Sequence, residues 1–472
     1  MKNSNTRKER DALGEVQVPA EAYFGAFTVR AKKNFQISDF CAPKVFKEAL
    51  GTVKLAAAQS NYSLKLLSKK EFSAIDKAAK EFIDGKYDQE FILDVFQAGA
   101  GTSYNMNANE IIANRANEIL KGKKGEYKFV HPNNHVNLGQ STNDVIPAAT
   151  RIAILFALPS LLQAITGLEE EIGKKQEKYK DLIKAGRTHL QDAVPITFGQ
   201  EFDSYREALK KSRAYIIQLS EQLQILGIGG TAVGTGINTD PKYKEHMLKN
   251  LTKLTGIEFH KANNATEIAN NMNPFMNFSS GLRSLSTDLL NFSNNLMIMN
   301  SGPKAGIGEI DLPEVQPGSS IMPGKINPSI PEGVIMTCLH VLGSDRAVEL
   351  AAQRSHFELN VMCPLIMFEI LESMKLLTNA INTLNKSCIK GLKVNKERTK
   401  MLLEKSLCNA TSLVPYIGYH KTGEIVKTAL KKSTRLRQEL IDEGIFTEKE
   451  LNELFSADLT TKPSKIRKKL VK

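Results

Sequence analysis

The chain has 472 residues, 42% hydrophobic and 24% charged, with 63 Lys and Arg against 51 Asp and Glu for a formal charge of +12. A sequence of this length and apolar content buries a substantial core over more than one domain, which excludes disorder and a fibre. The charge draws the molecule toward anions, be they small dianions, nucleic acid or an acidic surface.

The N-terminal stretch MKNSNTRKERD is polar and charged, without the apolar centre of a secretory signal, so a cytoplasmic protein is expected. Proline then divides the chain, because it removes an amide donor and clashes with the preceding helical turn. The Pro-free stretches 43–132, 195–241, 331–364 and 364–415 each leave room for helices of several turns. Their Leu, Ile, Met, Ala, Glu and Lys content suits helix over strand, and an all-α fold is expected. The longest strongly apolar run, Ile152 to Leu162, contains Pro159 and falls well short of the roughly 20 residues a membrane helix needs. No membrane partner is expected.

The segment from Pro303 to Pro331 holds six prolines and several glycines, which predicts a loop of unusual length and hence a binding or lid segment. The following Gly333 to Leu359 reads as a core helix buried on several sides, with Val334, Met336, Leu339, Val341, Leu342, Val348, Leu350 and Ala351 at mixed helical spacing. Cys41, Cys338, Cys363, Cys388 and Cys408 form no CxxC pair and are read as reduced, buried thiols with no zinc site. The basic tail from Lys462 to Lys472 reads as a solvated terminus.

Four segments are polar where a helical protein is ordinarily apolar: Gly99 to Glu110, His131 to Asp144, Gly186 to Pro195 and Gly318 to Pro328. They are dense in Ser, Thr, Asn, His and Lys, the donors that fix carboxylate oxygens, and nearly free of aromatic residues that would stack bases. Helix capping and turn chemistry account for any one of them alone. Four together, beside the long loop, point to a small polar anion as ligand. No P-loop pattern and no recognisable nucleic-acid motif is present, so nucleotide hydrolysis and nucleic-acid binding have no support.

GSSIMPGKINP (318–328), together with HPNNHVN, QSTND, GRTHLQDAVP, GGTAVGTGINT and NSGPKAG, resembles the fumarase/aspartase superfamily in order and spacing over nearly the whole chain. The resemblance implies an all-α fold of three helical domains, 1–141, 142–397 and 398–472. Long central helices would form a twenty-helix core in a homotetramer, with each active site shared by three subunits. The implied reaction is reversible elimination from a small dicarboxylate to give fumarate, with no metal and no cofactor. Carried over position by position, Ser319 is the general base, while Lys325 and Asn327 hold the carboxylate that gains charge. A serine is a weak base unless its alkoxide is stabilised, which a glycine-rich turn can do with backbone amides. Ser320, Thr102, Ser141, Thr142, Asn143 and Thr188 are implied substrate ligands. His189, which the family pairs with Glu332, is implied near the leaving group.

Members of this superfamily differ in whether ammonia or water leaves. Gly101-Thr102-Ser103 followed by NMNANE, and Met362 within LNVMCP, favour ammonia; in the other direction, GGTAVGTG and GRTH are shared with many members that eliminate water. The chain departs from the family at Asn294 to Met297, Lys304, Gly139 and Cys363, none of which is a proposed base or carboxylate ligand. A catalytically silent relative is disfavoured by retention of Ser319, Lys325, Asn327, Thr188 and His189.

Overall fold

Helix formers dominate the elements as they dominate the Pro-free stretches. The computed structural model describes residues 5–472 and is mostly α-helical, with β-structure confined to two-stranded ladders. A hairpin of β1 (Thr6–Asp11) and β2 (Gly14–Pro19) precedes α1 (Ala26–Asn34), α2 (Lys44–Ser63), α3 (Lys69–Ile83) and α4 (Thr102–Ile119). Ser68 and Glu71 start α3 with a reciprocal capping box, each side chain bonding the other's amide. Then comes α5 (Thr142–Lys178), followed by the antiparallel hairpin β3 (Ile183–Thr188) and β4 (Gln191–Thr197), and by α6 (Phe198–Ser220). The strands β5 (Ile225–Leu226) and β6 (His260–Lys261) pair in parallel around α7 (Tyr243–Thr255), and α8 (Ala265–Asn270) leads into α9 (Asn273–Asn300).

The expected long loop runs from the end of α9 to the start of α10 (Ser329–Ala352), interrupted by β7 (Ile310–Asp311). A small hairpin, β8 (Ser355–His356) and β9 (Leu359–Asn360), joins α10 to α11 (Cys363–Leu384). The strand β10 (Lys393–Val394) pairs with β7 and so ties down the first part of the loop. The chain finishes with short helices, among them α12 (Lys396–Lys405), α13 (Ala410–Ile417), α14 (Tyr419–Lys432), α15 (Leu436–Asp442) and α16 (Glu448–Leu454).

By packing, the described residues fall into two units. One holds the chain up to Leu162 with Ala214–Ser286 and Leu339–Leu377; the other holds Gln163–Arg213, Thr287–Cys338 and Thr378–Lys472. In the first, Phe46, Leu50, Ile75, Tyr104, Ile111, Ile152 and Phe275 are fully buried, with the Tyr104 ring 5.6 Å from Phe46 and 5.2 Å from Phe91. In the second, Leu168, Ile172, Phe198, Leu289 and Ile381 are fully buried, and Leu413, Ile425, Leu440 and Leu451 centre a separate C-terminal cluster.

Three expectations are corrected. Pro147 and Pro159 do not divide the chain but lie inside the single helix α5. Each removes a helical hydrogen bond at about 3 kcal/mol or more, and burial of Ile152, Leu161, Ile165 and Leu168 offsets this. The whole of α5 is long and apolar enough to cross a membrane, which the run to Leu162 concealed, but 72% of its apolar window is buried within the protein. The core helix starts earlier and stops at Ala352, and Met336, Leu339 and Leu350 are 62%, 55% and 47% exposed in the single chain. Finally, Cys41 is exposed; the other four cysteines are buried, and burial pushes the thiols of Cys338, Cys363 and Cys388 up to about 12, which keeps them inert.

Leu289 is fully buried on α9. Leu289→Ala is expected to cost about 2–5 kcal/mol and to lower the unfolding midpoint in thermal denaturation.

Candidate active site

The serine loop is folded around Ser319. The amides of Ile321 and Met322 donate to Ser319 Oγ at 3.2 and 3.0 Å. The loop is closed by Gly318 N–H to the Lys325 carbonyl at 2.7 Å, Lys325 N–H to the Met322 carbonyl at 3.3 Å, and Asn327 Nδ2 to the Gly318 carbonyl at 3.0 Å. Only glycine fits at 318, since a Cβ there would stand 2.7 Å from the Lys325 oxygen. Asn327, expected as a substrate ligand, therefore also holds the loop shut. Ser320 and Lys325 are exposed, and the Lys325 ammonium has no hydrogen-bond or ion-pair partner among the described residues. Glu332 sits exposed in the first turn of α10.

Thr188 and His189 sit at the tip of the β3–β4 hairpin. Thr188 pairs with Gln191, so His189 and Leu190 are the two central turn residues, with φ of +53° and +65°. That is the backbone sense a tight right-twisted hairpin needs, and it costs a non-glycine residue strain of the kind found at functional sites. The hairpin is anchored below its tip by buried charge. The carboxylate of Glu309, wholly buried, takes Arg187 at 3.1 and 3.0 Å and Lys184 at 2.9 Å, and Lys184 also pairs with Glu201 at 2.7 Å. Two cations thus meet two anions, and Glu309 ties the hairpin to the base of the serine loop. Thr188 and His189 line a cleft of about 840 Å³ with Ile298, Met299 and Thr461.

The third group lies at the N-termini of α4 and α5. Thr102 Oγ1 donates to the Gly99 carbonyl at 3.0 Å. Ser141 and Asp144 cap α5: Asn143 N–H donates to Ser141 Oγ at 3.3 Å, and Ser141 N–H to Asp144 Oδ1 at 3.0 Å. Asp144 Oδ2 also accepts from the amides of Gly229 and Thr231, at 2.9 and 3.0 Å. Burial lifts the Asp144 carboxyl to about 6, opposed by these three amides and by the charge on Lys54. Lys54 itself is wholly buried, and burial brings its ammonium down to about 7 against the pull of Asp144. Asn143 Nδ2 donates to the Ala232 carbonyl at 2.8 Å, while Ser141 lines a cleft of about 540 Å³ with Asn133, Asn134 and Thr231.

The structure gathers the expected residues into three local groups. Thr142 joins the Thr102 helix through Asn105, whose Nδ2 reaches Thr142 Oγ1 at 3.4 Å. Ser319 stays with Lys325 and Asn327. Among the described residues, neither Ser319 nor Glu332 shares a hydrogen bond or ion pair with His189, so the expected His189–Glu332 pair is not made inside a single chain. Much of the polarity of 99–110 is used for packing, as with Asn107 Nδ2 on the Glu90 carbonyl at 3.1 Å. His131 shapes its own turn, its Nδ1 accepting from the amides of Asn133 and Asn134 at 3.2 and 3.3 Å. Lys54, Asp144, Arg187 and Glu309 were missed as site residues. Lys54 carried a signal, being the lone charge between Leu50 and Ala58 in an otherwise small and apolar run.

Of the departures, Asn295 Nδ2 donates to the Tyr205 hydroxyl at 2.9 Å, a neutral bond between helices, and Cys363 packs its sulfur 3.8 Å from Met272 Sδ. The two stretches read from the sequence as favouring ammonia also touch. Ala100 N–H, in the turn before Thr102, donates to the Val361 carbonyl at 3.1 Å.

Residues 14–343 match a family described as Lyase, and residues 410–460 match Fumarase C C-terminus. The chain is 40% identical over 461 residues to an aspartate ammonia-lyase of a Bacillus species, covering 98% of each. It is 42% identical over 459 residues to a class II fumarate hydratase of Brucella suis, covering 97% of this chain and 99% of the relative. Among solved structures, a class II fumarase from Schistosoma mansoni aligns with a TM-score of 0.91 at 34% identity, covering 95% of this chain and 98% of that one. Sequence and fold agree, and the chain belongs to the lyase family of the fumarase/aspartase superfamily.

Proposed function

We propose that this lyase is an aspartate ammonia-lyase, eliminating ammonia from L-aspartate to give fumarate. The observation that carries the reading is the sequence of the GTS turn with NMNANE and of the LNVM stretch, which resemble ammonia-eliminating members; the two stretches meet where Ala100 N–H donates to the Val361 carbonyl. Relatives of that activity at 40% identity over nearly the full length support it. The competing reading is hydration, as in the class II fumarate hydratases that match equally well.

In this account the Ser319 alkoxide takes a proton from the carbon next to one carboxylate, and the electron pair moves into that carboxylate. The amides of Ile321 and Met322 stabilise the oxyanion before transfer, and Lys325 balances the charge that develops on substrate afterwards, where its contact strengthens. The electron pair then returns to form the double bond and expels the amine as ammonia. Ser141, Thr142 and Asn143 hold the second carboxylate through neutral donors, and Thr188 and His189 face the leaving group. A homotetramer would complete the site, since the three groups lie on separate elements and α10 leaves Met336 and Leu339 uncovered.

Ultraviolet detection of fumarate tests the substrate directly. Fumarate should form from L-aspartate and not from L-malate, and the reverse would establish the hydratase. Ser319→Ala is expected to lower kcat at least about a hundredfold at unchanged oligomeric state by gel filtration, and a near-normal rate would remove the serine from its role. Lys325→Ala should raise KM and lower kcat together, and a change in thermal stability alone would make it an ordinary loop lysine.

A further inference from the structure

The buried lysine of α2 has no place in the elimination chemistry, yet it is aimed at the group that holds the carboxylate. Lys54 Nζ lies 2.6 Å from Asn105 Oδ1, 2.9 Å from Gln140 Oε1 and 3.1 Å from Asn137 Oδ1. An ammonium can only donate, so each contact fixes a carboxamide with its oxygen turned toward Lys54 and its NH2 turned away. For Asn105 the consequence is specific. Its Nδ2 is left to donate to Asn137 Oδ1 at 3.1 Å and to Thr142 Oγ1 at 3.4 Å. Thr142 is buried and its oxygen now accepts a bond, which leaves its single proton unspent; among the described residues no acceptor takes that proton.

We infer that Lys54 and Asn105 are positioning residues that set the polarity of Thr142, holding its hydroxyl as a donor to an incoming carboxylate. The inference rests on the carboxylate role proposed above for Thr142. The relay runs from the Lys54 amino group, through an amide that both accepts and donates, to a hydroxyl whose proton points to the ligand. Turned the other way, Asn105 Oδ1 would consume the Thr142 proton, and two oxygens would meet the carboxylate with no donor between them. In its charged form Lys54 also supplies positive potential to the site without contacting the substrate.

The test is binding of succinate, an unreactive four-carbon dicarboxylate, to the purified full-length protein by calorimetry, with thermal unfolding in parallel. Asn105→Asp keeps the volume and pairs with Lys54, so the fold is retained, but its carboxylate can only accept from Thr142. It should weaken succinate binding about tenfold or more, the scale of one lost hydrogen bond to a charged group. Thr142→Val should weaken binding to the same degree, and the double variant should be no weaker than Thr142→Val alone. If Asn105→Asp does not fold, Lys54→Met is read in its place with the same thresholds. Weakened binding in Thr142→Val with normal binding in Asn105→Asp overturns the relay and leaves the carboxylate site standing, as do additive losses in the double variant. Normal binding in Thr142→Val removes the carboxylate role itself, and the relay with it.

Discussion

Two backbone amides converging on one serine oxygen are the interaction on which the account depends. A serine hydroxyl holds its proton far too tightly to abstract one from carbon unless the alkoxide is stabilised beforehand. The amides of Ile321 and Met322 supply fixed dipoles that need no rearrangement when charge appears. Holding them there requires a closed loop, and the closure from Gly318 to Lys325 leaves no room for a side chain at 318. The lysine that can balance charge on substrate belongs to that same turn, so the base and its electrostatic support are one local structure.

The other two groups are held by a different device, buried charge. Behind the hairpin, Glu309 joins Lys184 and Arg187, and behind the α5 N-terminus Lys54 and Asp144 orient amides and carboxamides. Charges so deeply buried are costly to desolvate and repay it only when every hydrogen-bonding atom is satisfied. Their return is orientation. The donors of the site, from Ser141 to His189, can then be neutral and short, with their directions set from beneath.

The fold class was legible because long Pro-free stretches rich in helix formers have few alternatives, and the serine loop because six prolines and several glycines from Pro303 to Pro331 exclude regular structure. The β3–β4 hairpin was not legible. Its turn uses His189 and Leu190 at positive φ where Asn-Gly would have announced it, and tertiary support from Glu309 overrides the local preference. Pro147 and Pro159 misled for the same reason, burial of α5 outweighing two lost hydrogen bonds. Motif resemblance named the residues that face substrate, while Lys54 and Glu309, which touch only protein, emerged from the packing.

The central claim is that Ser319 Oγ is the atom that takes the proton. The measurement that tests it most directly is the pH dependence of kcat/KM for the native protein and for Ser319→Cys. A thiol is more acidic than a hydroxyl in the same cradle, so the limb where activity rises with pH should move to lower pH in the variant while turnover persists. A limb that stays in place in an active variant would assign the base to another residue and contradict the account.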